Sequence, residues 1–86
     1  MKVVFHKNFL KDYARVGAKT KESFKKQLEL FYANPYDVKL SNHPLKGKWF
    51  GYRSINITGD LRAVYKEISD QEVIFIALGS HSHLYG

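Results

Sequence analysis

The chain has 86 residues, which is enough for one domain and too short for two. Its 44% hydrophobic and 15% aromatic content exclude a disordered chain, and the absence of cysteine excludes disulfides and thiolate metal sites. A net charge of +6 favours a polyanionic partner, nucleic acid or an acidic protein, and without an apolar run of membrane-spanning length we expect one cytoplasmic domain over residues 1–86.

The first half of the chain predicts a strand followed by a helical hairpin. Residues 2–6 centre on Val-Val-Phe, which is typical of a short strand. Asn8 is a good N-cap for a first helix that ends near Gly17, and Thr20 can cap a second helix that ends at Asn34. Both helices have one apolar face, so we expect an antiparallel hairpin that packs on a sheet.

The second half predicts a loop and then a three-stranded antiparallel meander. Residues 35–48 carry loop signals, and Pro44 favours an extended backbone at His43. The strand-like runs are 49–57, 61–68 and 73–78, separated by turns short enough for hairpins. In the last run Val73, Phe75 and Ala77 alternate with other apolar residues, which predicts a central strand that is apolar on both faces. The predicted fold class is α+β.

The pairing of the first two meander strands depends on the length of their loop. With a two-residue Thr58-Gly59 loop, the facing pairs would be Ile57 with Asp60, Ile55 with Arg62 and Arg53 with Val64. Asp60, Arg62 and Arg53 would then share one side of the sheet. A loop changed by one residue would alter every pair, so the register stays open.

Several side chains of the second half could together cleave RNA without a metal. The reaction needs a base for the 2′-hydroxyl, an acid for the leaving oxygen and a cation for the charged phosphorane. Histidine suits the first two roles because its ordinary pKa is about 6.5, and arginine suits the third because its planar fork matches phosphate oxygens. The candidates are His43, His81, His83, Asp60, Arg53, Arg62 and Tyr85.

Each of these residues, taken alone, also has an ordinary structural explanation. Asp60 beside Gly59 is common turn chemistry, and Tyr85 and Trp49 could be core or edge aromatics. His81 and His83 are two apart rather than at helical i, i+4 spacing and have no cluster of carboxylates nearby, so we expect no metal and no cofactor. Only a combination of these residues can support a functional assignment.

That combination resembles the RelE/ParE superfamily of small toxins from toxin-antitoxin systems, most closely its YafQ branch. The motifs that carry the resemblance are His43-Pro44-Leu45-Lys46-Gly47-Lys48-Trp49, Gly51-Tyr52-Arg53, Asp60, Tyr65-Lys66, Gly79-Ser80-His81 and Leu84-Tyr85-Gly86. The first 42 residues match only as a strand followed by two helices. The resemblance implies a RelE-like fold.

The resemblance also implies a function and a set of site residues. The function is that of a type II toxin that cleaves mRNA on the ribosome and is inhibited by an acidic antitoxin. The implied catalytic residues are His81 as general acid, His43 or Asp60 as base, Tyr85 stacking on or orienting a base of the RNA, and Arg62 on the phosphate. The implied RNA-binding residues are Lys46, Lys48, Trp49 and Arg53.

Two positions depart from the pattern of the YafQ branch. Asn56 stands where the branch has a second strand histidine, and Ala77 stands where it has an arginine. The phosphate-binding charge must then come from elsewhere, and Arg62 is the candidate because its setting resembles the arginine-bearing strand of the RelE branch. His83 has no counterpart in the pattern.

Two other functions fit the same sequence. A ParE-like toxin would share the fold but bind a topoisomerase without cutting RNA, and His43, Asp60 and His81 argue against it. A non-catalytic interaction module would leave the histidines without a role.

Overall fold

The computed structural model describes residues 1–85 and contains one mixed sheet. The strands are β1 (Lys2–Phe5), β2 (His43–Pro44), β3 (Arg53–Asn56), β4 (Leu61–Ser69) and β5 (Glu72–Ser80). Their order across the sheet is β1-β5-β4-β3-β2, with β1 parallel to β5 and all other neighbours antiparallel. β5 is therefore an inner strand, as its apolar sequence predicts.

The first two helices follow the predicted order, whereas the third, at residues 81–85, was not predicted. They are α1 (Lys7–Arg15), α2 (Ala18–Ala33) and a short α3 (His81–Tyr85), with single 3₁₀ turns at Val38–Leu40 and Gly47–Trp49. No helix within residues 1–85 is long and apolar enough to cross a membrane. The α+β prediction is confirmed, whereas the simple meander is extended by β1 on one side and by β2 on the other.

The predicted helix starts are wrong by two residues for the first helix and three for the second. α1 begins at Lys7 because the His6 imidazole is its cap, with Nδ1 accepting from the Asn8 N–H at 3.0 Å. α2 begins at Ala18 after Gly17, which offers no side-chain cap, instead of after Thr20. The predicted end at Asn34 is right, since Asn34 is the C-cap.

The predicted start of the first meander strand is wrong, and the register, which the sequence leaves open, is not the one a two-residue loop would give. Trp49 lies in a 3₁₀ turn, and the backbone reverses at Gly51, whose φ of 93° suits a residue without a Cβ, so β3 starts only at Arg53. The observed pairs are Arg53 with Tyr65, Ser54 with Val64, Ile55 with Ala63 and Asn56 with Arg62.

The loop at residues 57–60 explains the observed register. Ile57 donates its N–H to the Leu61 carbonyl at 2.9 Å, and Thr58 Oγ1 accepts from the Leu61 N–H at 3.1 Å. These bonds close a loop wider than two residues, so Asn56 rather than Ile55 pairs with Arg62. Successive strand residues point to opposite faces, and Arg53 and Arg62 therefore lie on opposite sides of the sheet.

The main core fills the space between the sheet and the α1–α2 hairpin. Five of its eleven buried residues are aromatic, and their rings are in mutual contact, including Phe31 against Tyr65 at 5.0 Å between centroids and Phe9 against Phe24 at 5.3 Å. A smaller core on the opposite face contains Val64, Ala77 and Leu84, with Leu45, Trp49, Tyr52 and Tyr85 packed around them. α3 belongs to this second core.

A β-bulge on β5 divides its residues between the two cores. Val64 pairs with Ala77 and Tyr65 with Phe75, so Ile76 has no partner on β4. The extra residue turns Ala77 into the second core and Leu78 into the main core, which makes the predicted alternation wrong beyond Phe75. The Leu78 N–H donates to Asp12 Oδ2 of α1 at 3.0 Å.

Candidate active site

α3 lies directly on the backbone of β5. A Cβ added at Gly79 would come within 2.9 Å of Cδ2 of the exposed His83 ring and 3.4 Å of Leu84 Cγ, so the absence of a side chain at Gly79 favours this close approach. Leu84 is buried in the second core, and its carbonyl accepts from Trp49 Nε1 at 3.0 Å. The short helix is thus held by β5 from below and by the 47–49 turn from the side.

One pocket of about 300 Å³ brings together residues from the two ends of the second half. It is lined by His43, Pro44, Leu45, Lys46, His81 and Tyr85. The His81 and Tyr85 rings meet edge to face, with 4.8 Å between their centroids and 75° between their planes. Four of the predicted site residues, His43, Lys46, His81 and Tyr85, therefore share a single concave surface.

His43 is held in one tautomer by its neighbour. Its Nδ1 lies 2.8 Å from the carbonyl oxygen of Ser41. Ser41 has a φ of 49°, in the left-handed region that non-glycine residues seldom adopt. Because a carbonyl can only accept, the neutral imidazole carries its proton on Nδ1 and its lone pair on Nε2, which lies on an exposed ring. That is the state a general base requires.

A polar network under the His43 loop was not predicted from the sequence. Asn42 Nδ2 donates to the Tyr65 hydroxyl at 2.7 Å and to the Pro35 carbonyl at 2.8 Å, and Asn42 Oδ1 accepts from Arg53 Nε at 2.8 Å. Burial raises the pKa of Tyr65, and the hydrogen bond from Asn42 opposes that increase. The Arg53 guanidinium also lies 5.3 Å from the centre of the Tyr36 ring. Arg53 supports the loop and does not line the pocket.

Asp60 and Arg62 lie next to the pocket without lining it. The Asp60 backbone carbonyl accepts from the His81 N–H at 3.2 Å, and Asp60 is an exposed residue. Arg62 Nη1 donates to the carbonyls of Thr58, Gly59 and Leu61, each at 3.3 Å. Both residues stay predictions as catalytic groups, since their side chains are separate from the two histidines.

Tyr85 is more buried than a free stacking platform would be. Its hydroxyl is inaccessible and has no hydrogen-bond partner among the described residues, and its ring packs against the second core. The Tyr85 ring also contacts the His81 ring, and of these two residues His81 is the exposed one. The geometry therefore favours Tyr85 as a residue that orients His81. Gly86, the last residue of the motif, lies outside the described residues.

A second cleft, of about 390 Å³, lies on the other side of α3. Its polar lining includes Lys11, Asp12 and Arg15 of α1, Lys48 and His83, and its apolar lining includes Trp49, Ala77 and Leu84. His83 thus faces a different space from His81. Sequence reasoning missed Lys11 and Arg15, although their i, i+4 spacing does place them on one face of a helix.

Comparisons with known proteins give a consistent result. A family model described as "Bacterial toxin of type II toxin-antitoxin system, YafQ" matches residues 1–86. The mRNA interferase toxin YafQ of Escherichia coli strain K12 is 35% identical over 52 residues, which are 60% of this chain and 55% of that protein. The chain thus aligns with about half the length of this curated relative.

Two solved structures are similar over nearly the whole chain. The crystal structure of YafQ from E. coli strain BL21(DE3) has a TM-score of 0.79 and 25% identity, covering 99% of this chain and 98% of that one. YafQ in the E. coli DinJ-YafQ complex has a TM-score of 0.71 and 26% identity, with the same coverage. The sheet order and the helical hairpin therefore belong to a known architecture.

Proposed function

The chain belongs to the YafQ family of bacterial type II toxins, and we propose that it is an endoribonuclease that cleaves mRNA on the ribosome. A single observation supports this function best: His43 and His81 line one pocket although 37 residues separate them in the sequence. A ParE-like toxin that binds a topoisomerase, or a bare interaction module, would not require two imidazoles there. We also propose that residues 1–86 act as one domain in the cytoplasm.

The two histidines have complementary roles in the proposed reaction. His43 Nε2 removes the proton of the 2′-hydroxyl, and the resulting oxygen attacks the adjacent phosphorus. The bond from phosphorus to the 5′-oxygen breaks as His81, in its protonated form, gives that oxygen a proton. The products are a 2′,3′-cyclic phosphate and a 5′-hydroxyl. His43 takes the role of base in preference to Asp60 because only His43 lines the pocket with His81.

The charge that develops on the phosphorane needs a cation close by. Lys46 is the lysine that lines the pocket with both histidines, and we assign it this contact. Arg62 is a second candidate, but its Nη1 is already bonded to loop carbonyls. Tyr85 positions the His81 ring by edge-to-face contact. Lys48, Trp49 and Arg53 are assigned to binding and support around the pocket.

The proposed chemistry uses side chains of this chain alone. Within residues 1–85 no three His, Asp or Glu side chains group together as metal ligands would. His81 and His83, which are adjacent enough in sequence to suggest a pair, line separate clefts. The general acid and base therefore supply the proton transfers, and we propose no cofactor.

We further propose that the toxin is inhibited by an acidic antitoxin encoded next to it. The similar E. coli protein is found in a complex named DinJ-YafQ. The net charge of +6 of the present chain favours an acidic partner of this kind. The same charge favours mRNA and the ribosome as the target.

The function is tested by His81→Ala, with His6→Asn as the control. His81→Ala should abolish growth arrest on expression and mRNA cleavage in a translation extract, because the leaving oxygen then has no acid. His6 caps α1 and does not line the pocket, and asparagine is also a good cap, so His6→Asn should be as toxic as the original chain. Circular dichroism and antitoxin binding should be unchanged in both variants. Full toxicity of His81→Ala would refute the nuclease mechanism.

A further inference from the structure

We infer that the cleft between α1 and α3 binds a phosphate group of the RNA strand, outside the position that is cleaved. This inference rests on the proposed RNA cleavage, and it names a second contact for the same substrate. The cleft is the 390 Å³ space lined by Lys11, Arg15 and Lys48. None of these residues contacts the pocket of His43 and His81.

The charges around this cleft favour an anion. Three cationic side chains, Lys11, Arg15 and Lys48, line it, and Asp12 is its one acidic lining residue. Asp12 Oδ2 already accepts the Leu78 N–H at 3.0 Å. In the described part of the chain the only ion pair within 4.0 Å is the one between Lys2 and Glu72, so no carboxylate pairs with the three cations. Their charge is available to a ligand.

The lining of the cleft suits a nucleotide better than a bare ion. Its walls include the Trp49 indole and the apolar side chains of Ile76, Ala77 and Leu84. Proteins that bind single-stranded nucleic acid combine a cationic surface for the backbone with aromatic and apolar surface for bases. An aromatic ring beside three unpaired cations is such a combination.

The position of the cleft favours the same RNA strand over a separate ligand. α3 forms a narrow partition, with His81 and Tyr85 on the pocket side and His83 on the cleft side. The segment around the Gly47–Trp49 turn also separates the two spaces, since Lys46 lines the pocket and Lys48 lines the cleft. A strand that crosses this partition meets a cation on each side, so we choose RNA rather than an acidic peptide as the occupant.

The inference is tested with a 2′-O-methyl RNA oligonucleotide, which lacks the attacking hydroxyl and cannot be cleaved. Its affinity is measured by fluorescence anisotropy over a series of salt concentrations. The double variant Lys11→Gln, Arg15→Gln should bind several-fold more weakly at low salt. Loss of one phosphate contact should also reduce the slope of log Kd against log salt by about 0.7. The control Lys19→Gln, Lys26→Gln removes two exposed charges of α2 and should keep the original slope.

The outcomes separate this inference from the proposed function. Equal slopes for the two double variants would refute the cleft as a phosphate site, even if the chain cleaves RNA. A chain that shows the slope difference but never cleaves unmodified mRNA would support the cleft and refute the nuclease. If Lys11→Gln, Arg15→Gln keeps its RNA slope and loses antitoxin binding, the cleft is a protein-docking surface and the inference is wrong.

Discussion

His43 owes its orientation to two small neighbours rather than to the pocket itself. The Ser41 carbonyl holds Nδ1 at 2.8 Å, and Asn42 ties the same stretch to Tyr65, Pro35 and Arg53. A catalytic imidazole must be held in one tautomer and one direction, and here backbone and amide groups do this. Substitutions in the network should therefore affect the chemistry through His43.

Tyr65→Phe tests this support because it removes one hydroxyl and leaves the ring. Loss of the bond from Asn42 should lower the free energy of unfolding by about 1 kcal/mol at pH 7. Burial raises the pKa of Tyr65, so its stabilising effect is complete below the ordinary pKa of about 10 and is lost as pH rises towards the folded-state value.

The stability difference between wild type and Tyr65→Phe should therefore shrink above about pH 10. Urea denaturation at pH 7 and at higher pH measures it. Tyr32→Phe is the matched control, since Tyr32 is exposed and its removal should change neither stability nor its pH dependence. A difference that stays constant with pH would mean that the Tyr65 hydroxyl does not titrate as the buried group described here.

The sequence predicts the two proposed catalytic histidines better than the residues that support them. His43 and His81 occur in motifs, and the structure places both in one pocket. Asn42 has no such signal, because its partners Pro35 and Tyr65 are 7 and 23 positions away and only the folded chain brings them close. Lys11 and Arg15 resemble any solvated helix face until α3 is placed opposite them.

The strands show the same division between local and long-range information. Each strand of the sheet except the two-residue β2 has its own alternating or apolar pattern, and the family prediction is confirmed. The register between β3 and β4 depends on the loop that the Thr58 hydroxyl closes by accepting the Leu61 N–H. Composition does not reveal this hydrogen bond. The bulge at Ile76 is equally hidden, because every residue from Val73 to Leu78 is apolar.

Gly79 determines how closely α3 approaches β5, and Gly79→Ala tests this contact. The added methyl would lie 2.9 Å from Cδ2 of the exposed His83 ring, which can turn aside, and 3.4 Å from Cγ of the buried Leu84, which must give way slightly and shift α3 with His81. We expect mRNA cleavage to fall at least tenfold, since small displacements of catalytic groups have large effects on rate. The secondary structure seen by circular dichroism should not change.

Gly17→Ala provides the comparison for Gly79→Ala. A Cβ at Gly17 meets nothing within 4 Å, and its φ of −76° is open to any residue. Alanine is a poorer N-cap, so this variant should lose about 0.5 to 1 kcal/mol of stability and keep its cleavage rate. A wild-type rate for Gly79→Ala would show that α3 does not need this close packing.

The two faces of the sheet carry cores of very different size. The α1–α2 side holds the buried aromatic rings, whereas the buried hydrophobic cluster on the α3 side consists, among the described residues, of Val64, Ala77 and Leu84. Stability should therefore reside on one face and the pocket on the other. This arrangement allows the catalytic side to loosen without unfolding the protein.

Phe31→Ala and Leu84→Ala should separate these two properties. Phe31 is fully buried in the main core, so its truncation should lower the free energy of unfolding by about 3 to 5 kcal/mol. Leu84→Ala should lower it by about 2 kcal/mol or less, because α3 can detach, while cleavage is lost. Urea denaturation and a cleavage assay at 20 °C measure the two effects. A larger stability loss for Leu84→Ala would mean that the faces unfold as one unit.

The parallel pairing of β1 with β5 has a consequence for synthesis of the chain. Lys2 is aligned with Glu72, so the first strand has no neighbour in the sheet until the last strand has been made. Contacts that span so much of the chain form late in folding. His81 follows β5 directly, and hence no nascent chain can carry a finished pocket while β5 is still inside the ribosome that translates it. The order of synthesis therefore delays formation of the pocket until β5 has left the ribosome.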